Sequence, residues 1–265
     1  MRDALRGDPA ALTEMETALG LNTSFAAVLL VLAFAAAVKS ALGFGLPLIA
    51  VPIAANLIGA RTAVVLIAVP VVVTNLVILL RGGGTRAGLR QFGGLLAGVV
   101  AGTIVGARLL GALDPRWIAL AVGAAGVLFA LTSLLDLVPA IPPRAQSYAG
   151  PLVGGLSGVM GGTTGIFAPL IAAYLHSLAV SKQGFVFWLT ASFLLGGLVQ
   201  VASYVRMGLY TGPLALYAAA ACLPALLGAR LGFWVQDRLS AGAFRRAVLA
   251  LVLASSVNLL LRAVR

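Results

Sequence analysis

The sequence predicts an all-α polytopic membrane protein made of two homologous repeats. Each repeat holds about four spanning segments, and the first segment of each is a broken or re-entrant helix. Three observations predict this. The 265 residues are 61% hydrophobic and 9% charged, with a mean hydropathy of +1.09, whereas a soluble domain is about half apolar and about a quarter charged. Apolar runs of about 20 residues, the length that crosses a bilayer, recur along the whole chain. Pro-Leu-Ile-Ala occurs at 47–50 and 169–172, and Gly-Ala-Arg-Leu at 106–109 and 228–231, so that 169 − 47 and 228 − 106 both equal 122. The same offset sets Gly43 against Gly165, and self-similarity at a fixed spacing points to an internal duplication.

Residues 1–22 mix Arg2, Asp3, Arg6, Asp8, Glu14 and Glu16. They lack the uninterrupted apolar core of a secretory signal and are expected to form a tail or a short surface helix. Repeat 1 is assigned to 23–136. Its first segment runs from about Ser24 to Ala60 and is interrupted near Gly43–Pro47. Segments at about Thr62–Leu80, Leu89–Leu110 and Trp117–Leu135 follow, the first of them stopping at Arg81-Gly-Gly-Gly-Thr-Arg86. Residues 137–148 form the inter-repeat loop, where three prolines and several polar residues break the pattern. Repeat 2, 149–265, begins with Ala149–Leu175, interrupted at Gly161–Pro169, and continues through Phe185–Tyr204, Pro213–Phe233 and Ala243–Leu261.

The net charge of +11 rests on 18 Lys and Arg residues. They are spread over the ends of apolar runs, as at Arg61, Arg108, Arg144, Lys182 and Arg230, rather than gathered into a basic domain. That is the distribution of side chains snorkelling to membrane interfaces, and it excludes nucleic acid as a partner. The Lys and Arg loop counts split almost evenly between the two sides and set no orientation. Cys222 is the single cysteine, which leaves no intrachain disulfide and no thiolate metal site. No phosphate loop or zincin motif is present, so the reading calls for no cofactor and no metal.

Candidate function concentrates at the two interruptions. Lys39, Ser40, Gly43, Phe44 and Gly45 mark the first, and Gly161, Gly162, Thr163, Thr164 and Gly165 the second. An interrupted helix survives in hydrocarbon only where it lines protein or a water-filled cavity. Pro47 and Pro169 stand where a second half-helix would restart, since proline is tolerated at the first helical position. The N-termini of two such half-helices would face each other as a paired anion clamp. Lys39 is a cation inside an apolar run, at a cost of about 2.5–3.5 kcal/mol on insertion scales. All seven acids, Asp3, Asp8, Glu14, Glu16, Asp114, Asp136 and Asp237, fall in the tail or the joints. The substrate is then the simplest counter-ion for Lys39; snorkelling from a segment end is the alternative. Thr74, Asn75 and Gln200 are weaker pathway candidates, and for these and Asn258 interhelical hydrogen bonding explains the polarity equally well. For Gly154-Gly155 and Ala97-Gly98, close helix packing competes with a substrate role.

These residues resemble the TauE/SafE sulfite-exporter family, also called the toluenesulfonate uptake permeases. The resemblance is carried by Gly43-Phe-Gly-Leu-Pro-Leu-Ile-Ala-Val-Pro52 and, more specifically, by Gly154-Gly-Leu-Ser-Gly-Val-Met-Gly-Gly-Thr-Thr-Gly-Ile-Phe-Ala-Pro-Leu-Ile-Ala-Ala-Tyr-Leu175 with Lys182 and Phe185 beyond it. It covers roughly residues 24–262. It departs at Leu46-Pro47 and at Phe167-Ala168, where the family more often has glycine. The resemblance implies a multi-pass transporter of the bacterial inner membrane. Its substrates would be small sulfur-containing anions such as sulfite, sulfoacetate and other sulfonates, exported or taken up. The partners are then a small organic or inorganic anion and the lipid bilayer, and a homo-oligomer is compatible with both.

Two rival classes set the boundaries of this reading. One is a duplicated drug or metabolite carrier of another small solute; Lys39 and the lack of embedded acids speak against cationic cargo. The other is an enzyme, because Gly155-Leu-Ser-Gly158 resembles the nucleophile motif of rhomboid intramembrane proteases. His176 is the only histidine available as a base, and the duplication has no role in that chemistry. The sequence therefore predicts no catalytic residues.

Overall fold

The computed structural model describes residues 23–42, 45–81, 89–135, 145–178, 180–235 and 241–264. Among the described residues there is no strand. The helices are α1 Thr23–Leu42, α2 Leu46–Ile58, α3 Ala60–Arg81, α4 Leu89–Ala112, α5 Pro115–Leu134 and α6 Gln146–Thr164. The remainder are α7 Ala168–Ser177, α8 Lys182–Arg206, α9 Gly212–Ala220, α10 Cys222–Val235 and α11 Ala241–Val264. Among the described residues, seven stretches are long and apolar enough to cross a membrane: α1, α3, α4, α5, α8, α9 with α10, and α11. The protein is a multi-pass helical membrane protein. Large apolar side chains on its outside, such as Leu30, Leu80, Trp117 and Leu231, suit a lipid surround rather than water. The expected tail at 1–22 and most of the inter-repeat loop lie outside the described residues.

Two expected boundaries shift for identifiable reasons. The single segment anticipated over Pro213–Phe233 is divided at Ala221 into α9 and α10. Pro224 lies four residues after Ala220, and proline can neither donate to that carbonyl nor avoid crowding it. The stretch expected at Ala149–Leu175 is present as α6 and α7, with α6 starting earlier, at Gln146. Glycine and hydroxyl residues dilute α6, and it is not among the seven apolar spans.

The packing pairs helices from opposite halves of the chain. α4 lies along α6, α1 along α10, α5 along α11 and α3 along α8. The α4–α6 contact is made backbone to backbone. A Cβ added at Gly102 would stand 2.1 Å from the Gly155 carbonyl oxygen, and one at Gly154 2.1 Å from that of Leu95. Glycines four apart let helix axes approach this closely, which is how membrane helices gain contact when lipid supplies no hydrophobic drive. On the α1–α10 side, Gly228 and Gly232 meet the carbonyls of Ala33 and Ala37 in the same way. The C-terminal end of α2 is tied to α11. Asn56 Nδ2 donates to the Ser255 carbonyl at 3.2 Å, and Asn258 Nδ2 donates to Asn56 Oδ1 at 2.9 Å.

Candidate functional site

α1 carries Lys39 in its last turn and ends at Leu42. Gly43 and Phe44 lie outside the described residues. The chain restarts at Gly45, whose φ of 127° a side chain would strain, and α2 begins directly after it with Pro47 in its first turn. The second interruption is shorter. α6 stops at Thr164, Gly165 takes the left-handed conformation at φ 77°, and α7 begins at Ala168 with Pro169 in its first turn. The first-turn amides of α2 and α7 have no acceptor within their own helices, as at any helix start.

Lys39 does not reach the surface: it is 3% exposed. Its Nζ donates to Thr74 Oγ1 at 3.2 Å and to Asn75 Oδ1 at 2.5 Å, both on α3. Thr74 passes the chain on by donating to the Val71 carbonyl at 3.1 Å. An ammonium has three donors, so one is left. Asn75 Nδ2 is buried in this group without a hydrogen-bond partner, and Ser40 Oγ, on the next residue of α1, is likewise buried and unpaired. Among the described residues the only carboxylate is Asp114, which stands just before the start of α5 and whose side chain makes no capping hydrogen bond. Two buried donor groups, Lys39 and Asn75, thus meet where no acid among the described residues answers them, and unsatisfied buried donors are costly unless something fills the site.

A small cavity of about 10 Å³, roughly the room of one water molecule, opens at this cluster. Lys39, Asn75, Gly45 and Val71 line it from the first half of the chain, and Phe167, Ala168 and Phe193 from the second. It therefore has one polar end and an aromatic wall. The starts of α2 and α7 both border it, through Pro47 and Ala168.

The second cluster of predicted site residues is used differently. Thr163 Oγ1 donates to the carbonyls of Gly106 and Val159, at 3.0 and 2.9 Å. Thr164 Oγ1 donates to the Met160 carbonyl and accepts from the Ile166 amide. Gly162 packs against the Thr103 carbonyl of α4, and Gly161 against the Phe167 ring. Gln200 Nε2 donates to the Gly161 carbonyl at 3.0 Å and to Tyr204 Oη at 2.8 Å, while Tyr204 Oη donates to the Gly162 carbonyl at 2.6 Å. These groups fasten the C-terminal end of α6. Ser157 Oγ donates to the Phe167 carbonyl at 2.6 Å, and the His176 ring stacks on Phe185, so the two are committed to separate partners.

Of the residues singled out in the sequence, the structure brings Lys39, Gly45 and Asn75 to the cavity, with Thr74 bonded to Lys39; Phe167, Phe193 and Tyr204 were not among the site candidates. A signal for the first two was available. At the 122-residue offset Phe167 falls on Gly45 and Phe193 on Val71, and all four of those residues line the cavity.

The model of one family, the sulfite exporter TauE/SafE family, matches residues 28–259. No curated protein and no solved structure matches the chain.

Proposed function

The chain belongs to the sulfite exporter TauE/SafE family, and from that premise we propose that it carries small sulfur-containing anions across the bacterial inner membrane, seated on Lys39. The single observation that carries this is the Lys39–Asn75 pair, a buried lysine answered by neutral acceptors and not by an acid, beside an amide nitrogen that has no partner. An anion entering there would accept from Lys39 Nζ and Asn75 Nδ2, and would meet the positive end of α2. A cationic solute would be repelled by Lys39, which speaks against a carrier of cationic drugs or metabolites. Sulfite, sulfoacetate and other sulfonates are the proposed substrates, and export is the proposed direction.

Two repeats related by a pseudo-twofold axis form the proposed architecture, at 23–136 and 149–265, each opening with a helix broken inside the membrane. The exchange of partners supports it: α4 packs on α6 while its counterpart α10 packs on α1, and α3 packs on its own counterpart α8. Cavity residues that fall in offset pairs, Gly45 with Phe167 and Val71 with Phe193, support a site lying on that axis. Substrate sites at repeat interfaces near the midplane are the usual arrangement in duplicated carriers.

The test is flux into liposomes containing the purified protein, with sulfite, sulfoacetate and a cationic control. Saturable flux of the anions and none of the cation is expected. Flux of the cation alone would overturn the reading.

A further inference from the structure

The aromatic wall of the cavity has a counterpart in the duplication. At the 122-residue offset Lys39 corresponds to Gly161, Thr74 to Gly196 and Gly45 to Phe167. In the first half, the space between the helix carrying Lys39 and the helix carrying Thr74 is bridged by their 3.2 Å hydrogen bond. In the second half, the Phe167 ring fills the corresponding space. A Cβ at Gly161 would stand 2.2 Å from that ring, and one at Gly196 2.7 Å from it. The polar seat of one half is replaced by a phenyl ring in the other.

We infer that Phe167 is a specificity-determining residue, the ring that limits how large a group the bound anion can carry. The inference rests on the anion-carrier reading and adds a residue and a direction to it. The ring backs onto two glycines, on α6 and on α8, so it cannot withdraw from the cavity. Ser157 holds the Phe167 carbonyl at 2.6 Å and fixes the backbone behind it. Phe193 extends the wall, its ring centroid 6.4 Å away. An anion whose charged end sits on Lys39 must therefore direct its substituent at this ring. At about 10 Å³ the cavity has to widen for any such anion, and an arylsulfonate asks far more of this wall than sulfite or a short-chain sulfonate does.

The experiment compares sulfite, methanesulfonate and benzenesulfonate flux in proteoliposomes for the wild type, Phe167→Ala, Phe167→Leu and Gly161→Ala. The wild type should favour methanesulfonate over benzenesulfonate. Phe167→Ala should raise the benzenesulfonate to methanesulfonate ratio of kcat/KM by about tenfold or more, since methylene-sized changes in a pocket are worth about 10–200-fold. Phe167→Leu should raise it less. Gly161→Ala would set a Cβ 2.2 Å from the ring and leave it less room to give way, which should lower the ratio, so the two kinds of variant move it in opposite directions even where one of them inserts poorly. An unchanged ratio in both Phe167 variants, with sulfite flux intact, overturns the size filter and leaves the carrier standing. Absence of flux for every anion in the wild type overturns both.

Discussion

Lys39 Nζ lies 2.5 Å from Asn75 Oδ1, and the amide nitrogen of the same Asn75 has no partner. The asparagine thus answers the lysine with its acceptor and keeps a donor for a ligand. An aspartate at that position would satisfy Lys39 as well and would offer nothing to an anion. On the proposed anion-carrier reading, an amide rather than a carboxylate at this position would leave the site open to negative charge.

Replacing Lys39 with alanine removes the one buried cation at the cavity. Hydrogen bonds to charged groups are worth about 1.5–3 kcal/mol, so anion affinity should fall by roughly tenfold to a hundredfold. Insertion and fold should be kept, because no acid among the described residues depends on Lys39 for neutralisation. Substrate-induced shifts in thermal stability of the purified variant report the affinity directly. A variant that binds anions as the wild type does would remove Lys39 from the site.

Asn75→Asp tests the same pair from the other side. The new carboxylate would act as a built-in counter-ion, competing with substrate for the lysine and repelling it. Flux should fall as much as in Lys39→Ala, while the protein is as stable as the wild type or more so. Asn75→Ala should lower affinity less, since only a neutral donor is lost. If Asn75→Asp transports normally, the anion does not approach this end of the cavity.

How far all this could be read in advance depended on what the membrane demands. Segments of about 20 apolar residues are imposed by bilayer thickness, and α3, α5 and α8 stand close to where the sequence placed them. Lys39 was legible because a lone cation in hydrocarbon needs a reason. The polarity of Thr163 and Thr164 has a structural use that the sequence alone does not separate from ligand binding: a helical threonine can satisfy its hydroxyl on the carbonyl of the preceding turn, and both do. Phe167 was passed over because one more apolar residue in an apolar run carries no local signal. Only its placement opposite Gly161, Gly196 and the cavity gives it meaning.

Tyr204 is fully buried and its hydroxyl meets the Gly162 carbonyl at 2.6 Å, close to the end of α6. Tyr204→Phe removes that donor and also the acceptor for Gln200. An unsatisfied buried group costs about 1–3 kcal/mol. The detergent-solubilised variant should unfold at a lower temperature than the wild type while ranking anions in the same order. A change in that ranking with stability unaltered would move Tyr204 from the scaffold into the pathway.

The α4–α6 contact offers a matched pair of glycine substitutions on one interface. Gly102 faces the backbone of α6, where an added methyl group would stand 2.1 Å from the Gly155 carbonyl oxygen; a Cβ at Gly155 itself meets nothing within 4 Å. Main chain cannot give way as a side-chain tip can, so Gly102→Ala must push the helices apart, at about 1–3 kcal/mol or more for overpacking. Gly155→Ala gains helix propensity worth about 0.5–1 kcal/mol and pays no such penalty. Folded yield and thermal stability should therefore fall for Gly102→Ala and hold or rise for Gly155→Ala. Equal loss in both would mean that helix flexibility, rather than the close approach of backbones, is what these glycines supply. Equal tolerance of both would mean that α4 and α6 do not meet this closely in the bilayer.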